Sequence, residues 1–404
     1  IRDASRVLGL PFLAGDKVAK LMPPMILGNT ATLSECLQLD EENNSGYSKE
    51  FYTASAELRN QYKNDEEVKR IIDIALGLEG LRRQDGIHAA AVVISPEAIT
   101  NYLPVQKKGK DAELVTQFEM HTVEQLGLLK MDFLGLRNLS IIDRTVELIN
   151  NEDFNIDEIP LDDKKTFELF STGRMIGVFQ LESRIAQITA RSLKPTRFEE
   201  IVALVALIRP GPLGANMHIE FADRATGKKE IEFLHTDLKE ILEETYGVIL
   251  YQEQVMQIAQ KISAFQLDEA DDLRKAMGKK IPKVMEQQRK KFTDGAISNG
   301  YSEQFSIELF DQIAFFAGYG FNKSHSVPYA LIAYQTAYLK ANHPAEYLSA
   351  CLTAVKRDKD RTAIFLAEAR ELGVNVKTPD INLSIEDFSV ANGEILFRLS
   401  AIRN

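Results

Sequence analysis

Residues 314–348 read AFFAGYGFNKSHSVPYALIAYQTAYLKANHPAEYL. Gly318 and Gly320 bracket Tyr319, the polar residues Asn322, Lys323, Ser324, His325 and Ser326 follow at once, and an amphipathic helical repeat then runs over residues 329–339. Such a cluster at the start of a helix has two physical readings. It can be a capped helix after a glycine turn. It can also be an anion site, because free backbone N–H groups and the helix dipole attract phosphate, and a lysine and a histidine beside them add positive charge.

The rest of the chain limits the choice. At 404 residues it exceeds the usual single core, so two to four packed units are expected. The aliphatic run at residues 201–208 is too short to cross a bilayer, and the opening IRDASRVLGL has no signal-peptide apolar block. Cys36 and Cys351 are too few for a disulfide framework and lack metal-ligand spacing. A soluble chain in a reducing cytoplasm, with no membrane partner, is expected. The net charge of −11 argues against a simple basic nucleic-acid binder. The charge is unevenly spread, however: residues 274–291 hold Arg274, Lys275, Lys279, Lys280, Lys283, Arg289, Lys290 and Lys291, with Glu286 as the one acid. A charge run of this kind is either a solvated helix face or a phosphate-binding surface.

Residues 1–87 read as helical with a break at Pro23 and Pro24. Short β-prone runs follow at 89–95, 114–118 and 128–132, with a brief helix at 123–125. Helices are then predicted at 140–150, 164–171, 198–208, 238–244, 253–263, 269–277 and 302–317, with RPGPLG at 209–214 as a divider. After residue 358 come another helix and a hairpin turning at Asn392-Gly393. The missing initiating Met and an opening that reads as mid-helix predict part of a longer polypeptide.

Eight motifs occur in order: GLRRQDGIHAAAVVISP, VTQFEMHTVEQLGLLKMDFLGLRNLS, GVFQLES, ALIRPGPL, YGVILYQEQVMQIAQ, LRKAMGKK, GYGFNKSHS and HPAEYL. Together they resemble the C-family replicative DNA polymerases of bacteria, the polymerase III alpha type, over nearly the whole chain. The resemblance implies an α+β, mainly helical fold with a small DNA polymerase beta-like palm sheet. Residues 1–87 would hold the end of a first palm segment and a helical thumb, 88–137 the returning palm sheet, 138–355 helical fingers, and 356–404 the start of a further domain. It also implies primer-template DNA and deoxynucleoside triphosphates as partners, with a sliding clamp and other replisome subunits engaged through the full-length parent.

Nucleotidyl transfer needs two hard cations, normally Mg2+, held by carboxylates. Asp132 in KMDFLGL sits at the end of an apolar strand; alone it reads as a helix N-cap, and by resemblance as a catalytic, metal-binding aspartate. Lys130, two residues earlier, belongs on the same face of the strand and by resemblance near the triphosphate. The family's D-x-D motif is not present: Asp358 and Asp360 in RDKDR read as a solvated helix start, and Asp268, Asp271 and Asp272 as dipole partners preceding a helix. The two-metal site is therefore expected to be incomplete in this chain, and the chain alone inactive.

Phosphate or nucleotide contacts fall on Arg274, Lys275, Lys279 and Lys280 of LRKAMGKK, on Asn322, Lys323 and His325, and on Arg209 of RPGPL, which alone reads equally as a helix end. DNA contacts fall on Lys283, Arg289, Lys290 and Tyr319; Tyr319 reads equally as a packed turn residue. The segment YQEQVMQIA reads as scaffold, and His88 as a structural residue at a strand start. A rival reading makes the chain a non-catalytic nucleic-acid-binding or scaffold protein.

Overall fold

The computed structural model describes residues 1–24, 30–38, 46–81, 86–107, 109, 112–279, 282–317 and 320–402. The side chains of residues 46–48, 278–279, 282–283 and 317 are outside that description. The chain forms two compact units, residues 1–136 and 137–404.

In the first unit, short helices pack around Ala4, Val18, Leu33, Cys36, Leu58, Ile71, Ile72 and Ala75. The helix Glu66–Leu78 shows why: Val68, Ile71, Ile72 and Ala75 recur at helical spacing, and the Asp65 carboxylate accepts the N–H groups of Glu67 and Val68 at 2.9 and 3.1 Å. Two separate antiparallel ribbons follow. β1 (Ala91–Ile94) pairs with β4 (Leu129–Asp132), and β2 (Val105–Gln106), which periodicity does not predict, pairs with β3 (Val115–Thr116). The register puts Ala91 opposite Asp132, and Val93 opposite Lys130. Side chains alternate across a strand, so Val92, Ile94, Leu129 and Met131 share the other face, which is apolar and exposed.

The second unit is helical around three clusters of buried side chains, with a three-stranded sheet at its C-terminal end. There β7 (Glu394–Leu396) lies between β5 (Val376–Lys377), parallel to it, and β6 (Ser389–Ala391), antiparallel. Asn392 and Gly393 between β6 and β7 have φ of 53° and 75°, the paired positive values of a tight hairpin turn.

The helix Lys323–Asn342 is the central strut of this unit and packs on Phe198–Leu207 and Lys164–Thr172. It corrects the expectation of an amphipathic repeat. Its buried residues include Ala330, Ala333, Tyr334, Gln335, Thr336, Ala337, Leu339 and Lys340, which lie on several sides of the axis, while Ser324, Val327, Pro328 and Leu331 are exposed, so apolar and polar side chains do not separate into two faces. The polar ones have partners: Tyr334 Oη donates to the Pro160 carbonyl at 2.8 Å, and Lys340 Nζ donates to the Arg174 and Ile176 carbonyls and lies 2.7 Å from Glu368 Oε1. The divider at 209–214 also differs, because Pro210–Gly214 is a short helix with Pro at its first turn, where a missing N–H costs nothing.

Candidate nucleotide-binding site

In the first unit Asp132 ends β4, and the next helix, Arg137–Ile149, begins too far on for Asp132 to be its N-cap. The ladder continues past it, with the Phe133 N–H donating to the Ala90 carbonyl at 2.9 Å. Lys130 Nζ donates to both Asp132 carboxylate oxygens, at 2.7 and 2.9 Å. That hydrogen bond, reinforced by the charge of Lys130, holds the Asp132 carboxyl below the usual carboxylate range against the opposing effect of desolvation. His88 Nδ1 stands 4.0 Å from Asp132 but accepts the N–H groups of Ala90 and Ala91 at 3.2 and 2.9 Å. Its lone pair is thus engaged with the backbone, and the ring pins the start of β1.

In the second unit, chain segments far apart in sequence are joined by a parallel bridge between Tyr251 and Phe321. The Gln252 N–H donates to the Phe321 carbonyl at 2.9 Å, and the Phe321 N–H to the Leu250 carbonyl at 3.1 Å. Each segment opens a helix, Gln252–Ser263 and Lys323–Asn342, so two helix N-termini are set side by side. Gln254 braces the joint: its Oε1 accepts the Leu250 and Tyr251 N–H groups, both at 2.9 Å, and its Nε2 donates to Thr245 Oγ1 at 2.8 Å.

Five of the predicted cationic or polar residues gather at this bridge. Lys323 donates its backbone N–H to both oxygens of Glu253, at 2.9 and 3.0 Å, and its Nζ to Glu244 Oε2 at 2.6 Å. The Arg209 guanidinium lies 3.5 Å from the centre of the Phe321 ring. His325 packs edge-on to Phe321 at 5.4 Å and against Tyr329 at 4.3 Å. Arg274 reaches Gln252 Oε1 at 3.4 Å with one guanidinium nitrogen while Nε donates to Asp271 at 2.8 Å. Asn322 is the N-cap; its Oδ1 accepts the His325 N–H at 2.8 Å, which leaves the amide NH2 as the group able to meet a ligand. The capped-helix reading of residues 322–326 is what the geometry shows, and the cap sets the helix start beside which Lys323 and His325 stand.

Lys275 pairs with Asp271 at 2.7 Å on the solvent side. The hydrogen bond from Lys275, then that from Arg274, lowers the Asp271 carboxyl, and the same contact raises Lys275. Asp271 and Asp272 lie inside the helix Leu267–Lys279 and do not precede it: Asp271 is a counter-ion to the cations one turn on, while Asp268 and Glu269 occupy the first turn. Asp358 does cap the helix Lys359–Glu371, accepting the Asp360 and Arg361 N–H groups. Farther along the basic run Arg289 pairs with Asp311, Lys291 with Glu269 at 2.8 Å, and Lys290 is exposed with no ion-pair partner among the described residues. Lys280 and Tyr319, and the side chains of Lys279 and Lys283, lie outside the described residues.

The predicted site residues do not include Gln252 and Glu253, which hold Arg274 and Lys323 from within the segment read as scaffold, nor Glu244. The available signal was the density of polar side chains at the helix start. Cavity size points elsewhere: a cavity of about 1450 Å3 is lined by Met217, Leu238, Ile249, Glu303, Glu308 and Phe316, with none of the predicted site residues in its wall. The cation in that cavity's wall, Arg224, is paired with Glu220 at 2.7 Å among further acids, whereas several cations gather at the bridge.

Residues 1–135 match the family described as "Bacterial DNA polymerase III alpha NTPase domain", and residues 138–300 match "Bacterial DNA polymerase III alpha subunit finger domain". The DNA polymerase III subunit alpha of Mycobacterium tuberculosis (strain ATCC 25618 / H37Rv) is 43% identical over 413 residues, covering 100% of this chain and 34% of the relative. That of Thermus aquaticus is 43% identical over 413 residues, covering 100% and 32%, and that of Escherichia coli (strain K12) 43% over 416 residues, covering 100% and 34%. The chain thus spans about a third of the length of the curated relatives it matches. With both units matched and identity sustained from end to end, the chain belongs to the bacterial DNA polymerase III alpha subunit family.

Proposed function

We propose that this chain carries part of the catalytic core for template-directed DNA synthesis by nucleotidyl transfer. The primer 3′-oxygen attacks the α-phosphorus of a deoxynucleoside triphosphate, and pyrophosphate leaves. The observation that supports this best is the gathering of Arg209, Arg274, Lys323 and His325 around the Tyr251–Phe321 bridge at two adjacent helix N-termini. Guanidinium forks and lysine point charges on preorganised backbone are the means by which proteins hold triphosphates. Lys275, Lys279, Lys280 and Asn322 are assigned to nucleotide or phosphate binding as well, and Lys283, Arg289, Lys290 and Tyr319 to primer-template DNA. In this reading residues 1–87 are the end of a first palm segment and the thumb, 88–137 the returning palm, 138–355 the fingers, and 356–404 the start of another domain. The sliding clamp and other replisome subunits are partners of the whole polymerase in the cytoplasm; no described helix is long and apolar enough to cross a membrane.

Magnesium is the cation assigned to the reaction, and Asp132 fits it in part. Its carboxylate is exposed, ionised and oriented by Lys130, so it can supply an oxygen ligand. One carboxylate is not a two-cation site, and no group of three or more His, Cys, Asp or Glu able to hold a metal occurs among the described residues. When bound, the cations lower the pKa of the 3′-hydroxyl and neutralise triphosphate charge. Lys130 keeps the Asp132 carboxylate in place and puts a positive charge beside the phosphates.

Primer extension by the whole polymerase carrying Asp132→Ala tests this reading, with a loss of about 100-fold or more expected. Incorporation at the unaltered rate would instead favour a non-catalytic nucleic-acid-binding or scaffold role.

A further inference from the structure

Near the bridge, Lys323, Arg274 and Lys275 are each already held by a carboxylate, while the Arg209 guanidinium lies on the Phe321 ring. Lys323 Nζ is bound to Glu244 Oε2 at 2.6 Å, and Arg274 and Lys275 share Asp271. These two acids differ in how they are mounted. Asp271 is on the same helix as its partners and moves with them. Glu244 comes from the turn Glu243–Thr245, whose position is set by other residues: the Arg197 guanidinium donates to the Glu244 carbonyl at 3.2 Å, and Thr245 Oγ1 donates to the Val248 carbonyl while accepting from Gln254. The Glu244 main chain is therefore anchored independently of its carboxylate. Lys323 is anchored as firmly, through its N–H on Glu253. The ion pair adds little to holding either residue, which leaves its effect on charge: it neutralises Lys323 when no ligand is present.

We infer that Glu244 is an internal competitor for Lys323, a positioning residue that makes the site select densely charged polyphosphate over a single phosphate. This rests on the reading of Lys323 as a phosphate-binding residue. A monophosphate has to displace the carboxylate from Lys323 to be held there, exchanging one anionic partner for another with little gain. A triphosphate presents several charges and can be held by Arg274 and Arg209 while Lys323 stays paired, so the carboxylate costs it less.

The experiment is binding of inorganic tripolyphosphate and of orthophosphate to the full chain, by calorimetry, at one fixed salt concentration. Glu244→Gln keeps the size of the side chain and removes its charge; Glu244→Ala is the second variant, and thermal melts check that both are folded. Lys323→Ala is measured alongside. The expected result is that both Glu244 variants bind orthophosphate about twofold to fivefold more tightly, the range spanned by the energies of exposed ion pairs, and tripolyphosphate by less, so that the preference between the two shrinks. Lys323→Ala is expected to weaken binding of both. If Lys323→Ala weakens binding while the Glu244 variants leave the preference unchanged, the competitor role is wrong and the phosphate reading stands. If Lys323→Ala changes nothing, the phosphate reading of Lys323 is wrong and the competitor role falls with it.

Discussion

The ribbon that carries Asp132 and the bridge that carries Lys323 are built in opposite ways. On the ribbon, Lys130 and Asp132 are two residues apart, on one face of one strand, and their contact follows from strand geometry alone. At the bridge, Glu253 and Lys323 are 70 residues apart, and they meet because Gln254, Tyr251 and Phe321 form a buried joint between two helix starts. The first arrangement is exposed and local, and it can be lost without loss of structure. The second is coupled to the packing of the whole unit, so a site built this way cannot be changed independently of the fold.

The sharpest test of that difference is in the strut behind the bridge. Lys340 is fully buried, ion-paired to Glu368 and bonded to two carbonyls. Lys340→Met is expected to destabilise by about 3–5 kcal/mol, since it leaves a buried carboxylate without its partner, and Lys340→Met with Glu368→Leu should recover much of the loss. Denaturant unfolding of both variants measures this; an unchanged midpoint for the single variant would remove the link between strut and site. Nearer the bridge, Gln254→Ala strips partners from the buried Leu250 and Tyr251 N–H groups and should cost about 1–3 kcal/mol, with weaker tripolyphosphate binding in the same protein. Binding that survives undiminished would separate the site from its scaffold.

The smallest effect belongs to the ribbon. Lys130→Ala should return the Asp132 carboxyl to the ordinary range, followed by NMR titration of its carboxyl carbon, with the unfolding midpoint at neutral pH hardly moved. The sign follows from the depressed value in the native state: the Asp132–Lys130 contribution is present above the unfolded carboxyl pKa and is lost as pH falls through the lowered folded one. Lys130→Ala should therefore flatten the acid limb of the stability curve, and a large loss of stability at neutral pH would show the ribbon to be as integrated as the bridge.

Much of the framework is legible along the chain. The helices Lys164–Thr172, Phe198–Leu207 and Gln252–Ser263 follow from apolar spacing, the hairpin at Asn392-Gly393 from turn chemistry, and the strand ending at Asp132 from a short apolar run, whereas Arg184–Leu193, Met217–Ala225 and Pro282–Ser298 are not predicted. The motifs identify the family because several are long and occur in order. Other features resist such reading for definite reasons. Pro210–Gly214 looks like a break because Pro and Gly usually end helices, yet Pro is well suited to a first turn. Residues 330–340 have no single apolar face to find, since buried side chains, polar ones among them, lie on several sides of the helix. Asp271 looks like a dipole partner until the helix start is located at Leu267.

Residue types and their order were enough to identify the chemistry available to this protein: a carboxylate with a lysine on one strand face, and cations clustered near helix starts. Those features are local, and local geometry depends on neighbours within a turn or a strand. Which acid sits on which cation was decided only by tertiary structure. Glu244, Glu253 and Gln252 reach Lys323 and Arg274 through a bridge between distant segments, and the position of that bridge depends on how buried helices pack, a property of the whole unit and of no short stretch within it.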